Sequence, residues 1–132
     1  MTNGILCAID FSSPSSDALK WSINLAQRLS VPLTVLYTYR LFKHNGEAVA
    51  LKKQMEADAA RNFTIVENEM LKGKGIQYDF KSEIGFVDDR IAEHVKNNKI
   101  SFLVMDRGLS ARSKENLEDF IGNLQIPLVI VP

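Results

Sequence analysis

The chain has 132 residues, enough for one domain with a real core, and its 45% apolar and 24% charged residues are the balance expected of a soluble globular protein. Lys plus Arg number 16 and Asp plus Glu number 16, so the formal net charge is zero. That argues against broad capture of nucleic acid or of an anionic membrane, and it removes a charge barrier to self-association. No stretch is long enough to span a bilayer, and Asp10 interrupts the first apolar run where a signal peptide would continue, so a cytoplasmic protein is expected.

Helical and strand patterns alternate along the chain. Ile5-Leu6-Cys7-Ala8-Ile9 is a continuous apolar run, the pattern of a central strand covered on both faces, and it ends at Asp10. The single Cys7 within it reads as a buried structural thiol, consistent with a reducing compartment. Ser12-Ser13-Pro14 marks a helix start with Ser13 as N-cap and Pro14 at the first helical position. The helix then places Ala18, Trp21, Ser22, Leu25, Ala26 and Leu29 on one face, and Trp21 is expected to pack against the sheet.

Pro32 to Tyr39 is the second strand, and Arg40 to Glu47 a polar loop. A long helix follows with Leu51, Met55, Ala59, Phe63, Val66 and Met70 on its inner stripe. Lys72-Gly73-Lys74-Gly75 looks like a phosphate loop only superficially; no strand precedes it, and its glycines read as helix C-cap and turn. Ile76 to Ser82 alternates as a half-exposed edge strand, and Gly85 opens a turn. The third helix uses Val87, Ile91 and Val95 inwardly, with Asp88 and Asp89 favourably placed in its first turn. Ser101 to Met105 is the fourth strand. A short helix follows with Leu117, Phe120, Ile121 and Leu124 inward, and Pro127 to Pro132 is the last strand. The order β-α-β-α-β-α-β-α-β over residues 1–132 predicts a single α/β domain: a parallel five-stranded sheet with helices on both faces. Its functional edge is the carboxyl end of the strands, which gathers Asp10 to Ser13, Thr38 to Arg40 and Met105 to Ser110.

Several chemistries are excluded. Asp10-Phe11-Ser12-Ser13-Pro14 lacks the glycines of a dinucleotide turn, and there is no P-loop, no C-x-x-C and no acidic pair of a phosphoacceptor domain. His44 and His94 lie far apart without a ligand cluster, so no metal is expected. Ser12 and Ser13 have no base in their neighbourhood, so no catalytic residue is assigned. Arg107, Arg112 and Lys114 could receive an anion, but Glu115, Glu118 and Asp119 interleave with them, and a solvated mixed-charge helix is the preferred reading.

With these residues in hand the chain resembles the universal stress protein family over nearly its whole length. The resemblance is carried by Ile5-Leu6-Cys7-Ala8-Ile9-Asp10-Phe11-Ser12, the spacing to Ala18-Leu19, the long second helix, Gly85, Val104-Met105 and Pro127-Leu128-Val129-Ile130-Val131. It implies a Rossmann-like three-layer sandwich of strand order 3-2-1-4-5, homodimers, and a role in stress survival or regulation. Nucleotide-binding members carry G-x2-G-x9-G-[S/T] after the fourth strand. With Gly108 as the second glycine, the first position is Met105, the third Glu118 and the hydroxyl position Asp119, so three of four are lost. Asp10 matches the aspartate on the adenine side in such members, and Thr38 the second-strand position beside the base; Asp10 also reads as an acceptor for the N–H groups of the helix start. The ligand-lining candidates are therefore Asp10, Phe11, Ser12, Ser13, Thr38, Met105, Arg107 and Gly108.

The expected protein is a cytoplasmic homodimer acting as a regulatory or protective interaction module. It is not an enzyme, needs no cofactor and does not bind ATP in the family manner. The alternative is a nucleotide-binding or slowly ATP-hydrolysing protein, or a small-anion binder, using a remodelled loop, with Arg107 and Arg112 on the phosphates. The dimer is expected to form through Pro127, Leu128, Val129, Ile130 and Val131, an apolar edge without a charged guard. An unknown protein partner is compatible with this reading; nucleic acid and membrane are not.

Overall fold

The computed structural model describes residues 3–41, 47–110 and 116–132. Five strands, β1 (Gly4–Ile9), β2 (Leu33–Tyr39), β3 (Tyr78–Ile84), β4 (Ile100–Asp106) and β5 (Leu128–Val131), form one sheet. Its order is β3-β2-β1-β4-β5 and every neighbouring pair is parallel. The order reverses between β1 and β4, so the crevice above the carboxyl ends of these two strands is where such sheets bind ligands.

The alternation of side chains across the strands sorts the core into two layers. Ile5, Cys7, Ile9, Val35 and Val104 face α1 (Ser13–Leu29) and α2 (Ala48–Val66). Leu6, Ala8, Leu36, Leu103 and Met105 face α3 (Val87–Asn97), α4 (Arg107–Ser110) and α5 (Leu117–Asn123). β1 is buried along its whole length, as its unbroken apolar run requires. β3 alternates between exposed and half-buried residues, as an edge strand should. Among the described residues no helix is long and apolar enough to cross a membrane.

Burial pushes the Cys7 thiol up to about 12; a hydrogen bond with Ser22 opposes this and the charge of Asp106 reinforces it. The thiolate is the reactive form, so a thiol reagent at pH 8 is expected to leave Cys7 untouched until the protein is denatured. Labelling of the native protein at the rate of the denatured one would mean that this core layer opens.

Four expectations are corrected by the structure. The N-cap of α1 is Ser12, whose Oγ accepts from the Ser15 amide, and Ser13 is already helical. The buried side of α1 runs through Ser15, Ala18, Leu19, Ser22, Ile23 and Ala26, which leaves Trp21 57% and Leu29 50% exposed. On α5 only Phe120 is buried, and Ile121 is 47% exposed. The third strand starts and ends two residues later than its alternation suggested. Gly73 and Gly75, with φ of 81° and 72°, are the turn residues expected of them. Ahead of them α2 continues into a π-helical turn, Glu67–Leu71, closed by the Lys72 amide on the Glu67 carbonyl. Its extra residue rotates Leu71 into the core and leaves Met70 half-buried at the surface.

Candidate functional site

The site is built where β1 and β4 end. Strand β1 delivers Asp10, and β4 delivers Asp106 one residue beyond the end expected from sequence. The first turn of α1 brings Ser15 between them. Its Oγ lies 2.8 Å from Asp10 Oδ1 and 2.8 Å from Asp106 Oδ1, and it accepts the Asp10 N–H at 3.1 Å. The hydroxyl has one proton for two carboxylates, so it donates to one at a time. Ser15 is 2% and Asp106 1% exposed, whereas Asp10 is half-buried, so the bridge is closed at its Asp106 end. A serine held in this way is not presented to a substrate.

Each of the two carboxylates also occupies one backbone donor at the crevice. Asp10 Oδ1 accepts the Ser12 amide at 3.0 Å, and Asp106 Oδ2 accepts the Leu109 amide at 3.0 Å. Amides at helix starts are the groups that cradle phosphate in α/β proteins. Gly108 has a local reason for being glycine: a Cβ there would stand 3.1 Å from Asp106 Oδ2. Its lack of a side chain makes room for the protein's own carboxylate.

Of the remaining candidates, Phe11, Ser12 and Ser13 line one cleft and the others lie apart from it. Phe11 adopts φ of 64°, a left-handed conformation that costs a non-glycine residue about 1–2 kcal/mol. Its ring is held against Tyr37 at 5.0 Å and Phe80 at 6.1 Å. Thr38 follows Tyr37 and therefore points to the opposite face of the sheet, level with Glu83 of β3. Met105 is fully buried between the sheet and α3 to α5 and cannot line a cleft. Arg107 and Gly108 are exposed on α4. Ser12 and Ser13 line a cleft of about 350 Å³ between α1 and α2, together with Phe11, Ser16, Ile65 and Met70, and Ser15 of the aspartate bridge forms part of its wall.

Glu118 and Asp119, at the third-glycine and hydroxyl positions of the family motif, lie in the first turn of α5, where Asn116 Oδ1 accepts the Asp119 amide at 2.8 Å. Arg112, Lys114, Glu115 and His44 lie outside the described residues. His94 is engaged elsewhere, its Nε2 3.0 Å from Glu83 Oε1. Sequence reasoning missed Ser15 as a site residue. The signal was available: a serine one turn into a helix, on the side that faces the sheet, needs polar partners there.

The model of the universal stress protein family matches residues 1–132. No curated protein matches the chain. Among solved structures, a universal stress protein family member from Burkholderia pseudomallei superposes with a TM-score of 0.76 at 19% identity, covering 98% of this chain and 96% of that one. UspA from Lactobacillus plantarum gives 0.75 at 14% identity, covering 99% and 98%. The universal stress protein of Archaeoglobus fulgidus, in a complex with dAMP, gives 0.66 at 13% identity, covering 98% of each chain. At these identities the superpositions establish a shared fold, and the full-length family match identifies the lineage: the chain belongs to the universal stress protein family.

Proposed function

We propose that this chain is a non-enzymatic, cytoplasmic member of its family that works as a homodimeric regulatory or protective interaction module and has given up ATP binding of the family type. The observation that carries the reading is the capture of the crevice amides by Asp10 and Asp106. An incoming phosphate would have to displace a carboxylate from each amide and then sit beside the displaced charge. Two unit charges about 4 Å apart repel by roughly 1 kcal/mol in water and more at a partly buried site. Met105, Glu118 and Asp119 add no glycine or hydroxyl to compensate.

Calorimetric titration with ATP and magnesium is expected to give no binding tighter than roughly millimolar, about 4 kcal/mol of binding free energy. A micromolar dissociation constant that weakens on Asp10→Ala overturns the reading. It would favour the second one, a nucleotide or small-anion binder. The bound dAMP of the Archaeoglobus fulgidus protein and the exposed Arg107 at the head of α4 speak for that alternative.

A further inference from the structure

We propose that the cleft between the start of α1 and the last turns of α2 is a binding site for a small organic amine, an ammonium group carried on one apolar ring system or short chain. The proposal goes beyond the reading given above and does not depend on it. The cleft opens on the α1–α2 face of the sheet, with Ile9 and Leu19 in its lining, whereas Met105 belongs to the opposite layer.

Its size and lining are those of a ligand pocket. The volume of about 350 Å³ lies at the lower end of the usual range. At about 30 Å³ per non-hydrogen atom, the share of one water in the liquid, it has room for about a dozen such atoms. The floor is apolar and already held in place. Ile9 and Leu19 are buried core residues, and the Phe11 ring rests on Tyr37 and Phe80. Met70 Sδ accepts the Ser16 O–H at 3.7 Å. At the lip stands Ile65, a large apolar side chain left 55% exposed by the fold. A ligand entering such a cleft does not bear the cost of ordering it.

Charge selects the head of the ligand. Among the described residues Glu69 is the one charged side chain in the lining, and it forms no ion pair with any of them. Behind the wall, the carboxylates of Asp10 and Asp106 meet at Ser15. Three carboxylates thus stand around the space. Lys20 and Lys74 border the next cavity along the same groove, which shares Glu69 and Met70 with this one. The start of α1 offers an anion little in return. The Ser12 N–H goes to Asp10, the Ser15 N–H to Ser12 Oγ and the Ser16 N–H to the Ser12 carbonyl, while Pro14 has no N–H. Ser13 and Asn62 remain at the rim, and the oxygens of both can accept the protons of an ammonium group.

Tryptamine, tryptophol and indole-3-acetate share one ring system of fitting size and differ in the head, so together they test the site. Titration followed by amide NMR is expected to give tryptamine a dissociation constant of about a millimolar or tighter, with the largest shifts at Ser13, Ile65 and Met70. Glu69→Gln is expected to weaken tryptamine about threefold or more and to leave tryptophol unchanged. Ile65→Ala is expected to weaken both by a similar factor, because it trims the apolar lip that both rings touch. Both changes are at exposed positions, and far-UV circular dichroism should not move. Tryptamine that shows no binding at about 5 mM overturns the proposal. So does tryptamine whose affinity ignores both substitutions, or indole-3-acetate that binds as tightly as tryptamine. The ATP titration described above is read separately, and either of its outcomes leaves this test intact.

Discussion

Ser15→Ala is expected to lower the stability of this protein by about 3 kcal/mol, roughly a 10 °C fall in Tm for a domain of this size. The substitution removes one oxygen atom, and on surface reasoning it would be harmless. Here that oxygen is the hydrogen-bonding contact between the Asp10 and Asp106 side chains. Without it, Asp106 Oδ1 is buried with no hydroxyl donor, a loss of about 1–3 kcal/mol. The Asp10 carboxylate then faces it across the vacated space, which adds repulsion between like charges. The Asp10 N–H loses its acceptor as well.

Urea denaturation measures the total, and a second background isolates the electrostatic part. In an Asp106→Asn protein the Ser15→Ala change should cost at least about 1 kcal/mol less, because one of the two charges is gone. A cost below about 1 kcal/mol in the wild-type background would mean that the bridge is not a stabilising element and that the carboxylates are satisfied in another way.

The same cluster explains why the fold was legible in the sequence and the site only partly so. The order of the elements, the parallel pairing and the burial of β1 follow from apolar runs separated by helix-length segments, and topology rules leave few other solutions. Helix faces were harder. On α1 the stripe drawn through Ala18, Trp21, Ser22, Leu25, Ala26 and Leu29 is right at Ala18, Ser22 and Ala26, whereas the buried side also takes in Ser15, Leu19 and Ile23 and leaves Trp21 and Leu29 exposed. Both serines have partners in the fold: Ser22 Oγ donates to the Ala18 carbonyl at 2.9 Å, and Ser15 bridges the aspartates. Hydrophobic periodicity leaves Ser15 out of the stripe because it does not register a partner contributed from 91 residues away. In the sequence Asp106 is simply a carboxylate one residue past the apolar run of the fourth strand. Its carboxylate is turned back into the protein, and only the position of the neighbouring helix determines that.

Phe11 is the complementary case. Nothing in its sequence neighbourhood signals a left-handed backbone, which is sustained by Tyr37 and Phe80 on two other strands.

Val129→Lys is expected to convert the proposed dimer to a monomer, with a dissociation constant at least about a hundredfold higher, about 3 kcal/mol. The two edges of the sheet show why this strand is the one expected to pair. β3 carries Asp79, Lys81 and Glu83 on one face, charged side chains that discourage another strand from adding to it. β5 is Leu-Val-Ile-Val, without a charge. Val129 is the right place to supply the missing guard, since it is 36% exposed and a lysine introduced there can reach water in the monomer. Ile130 is a poorer choice because it is half-buried beside Met105, so a lysine in its place would also disturb the core beneath α5.

In a two-fold assembly each copy brings its own introduced lysine to the axis. Two ammonium groups about 5 Å apart repel by roughly 3 kcal/mol at the effective dielectric of a protein surface, before the cost of desolvating them. Sedimentation of wild type and variant at about 20 μM, with far-UV circular dichroism to show that the monomer is folded, decides the matter. A variant that remains dimeric places the contact elsewhere on the molecule, and the exposed side chains around β5 would then need another explanation.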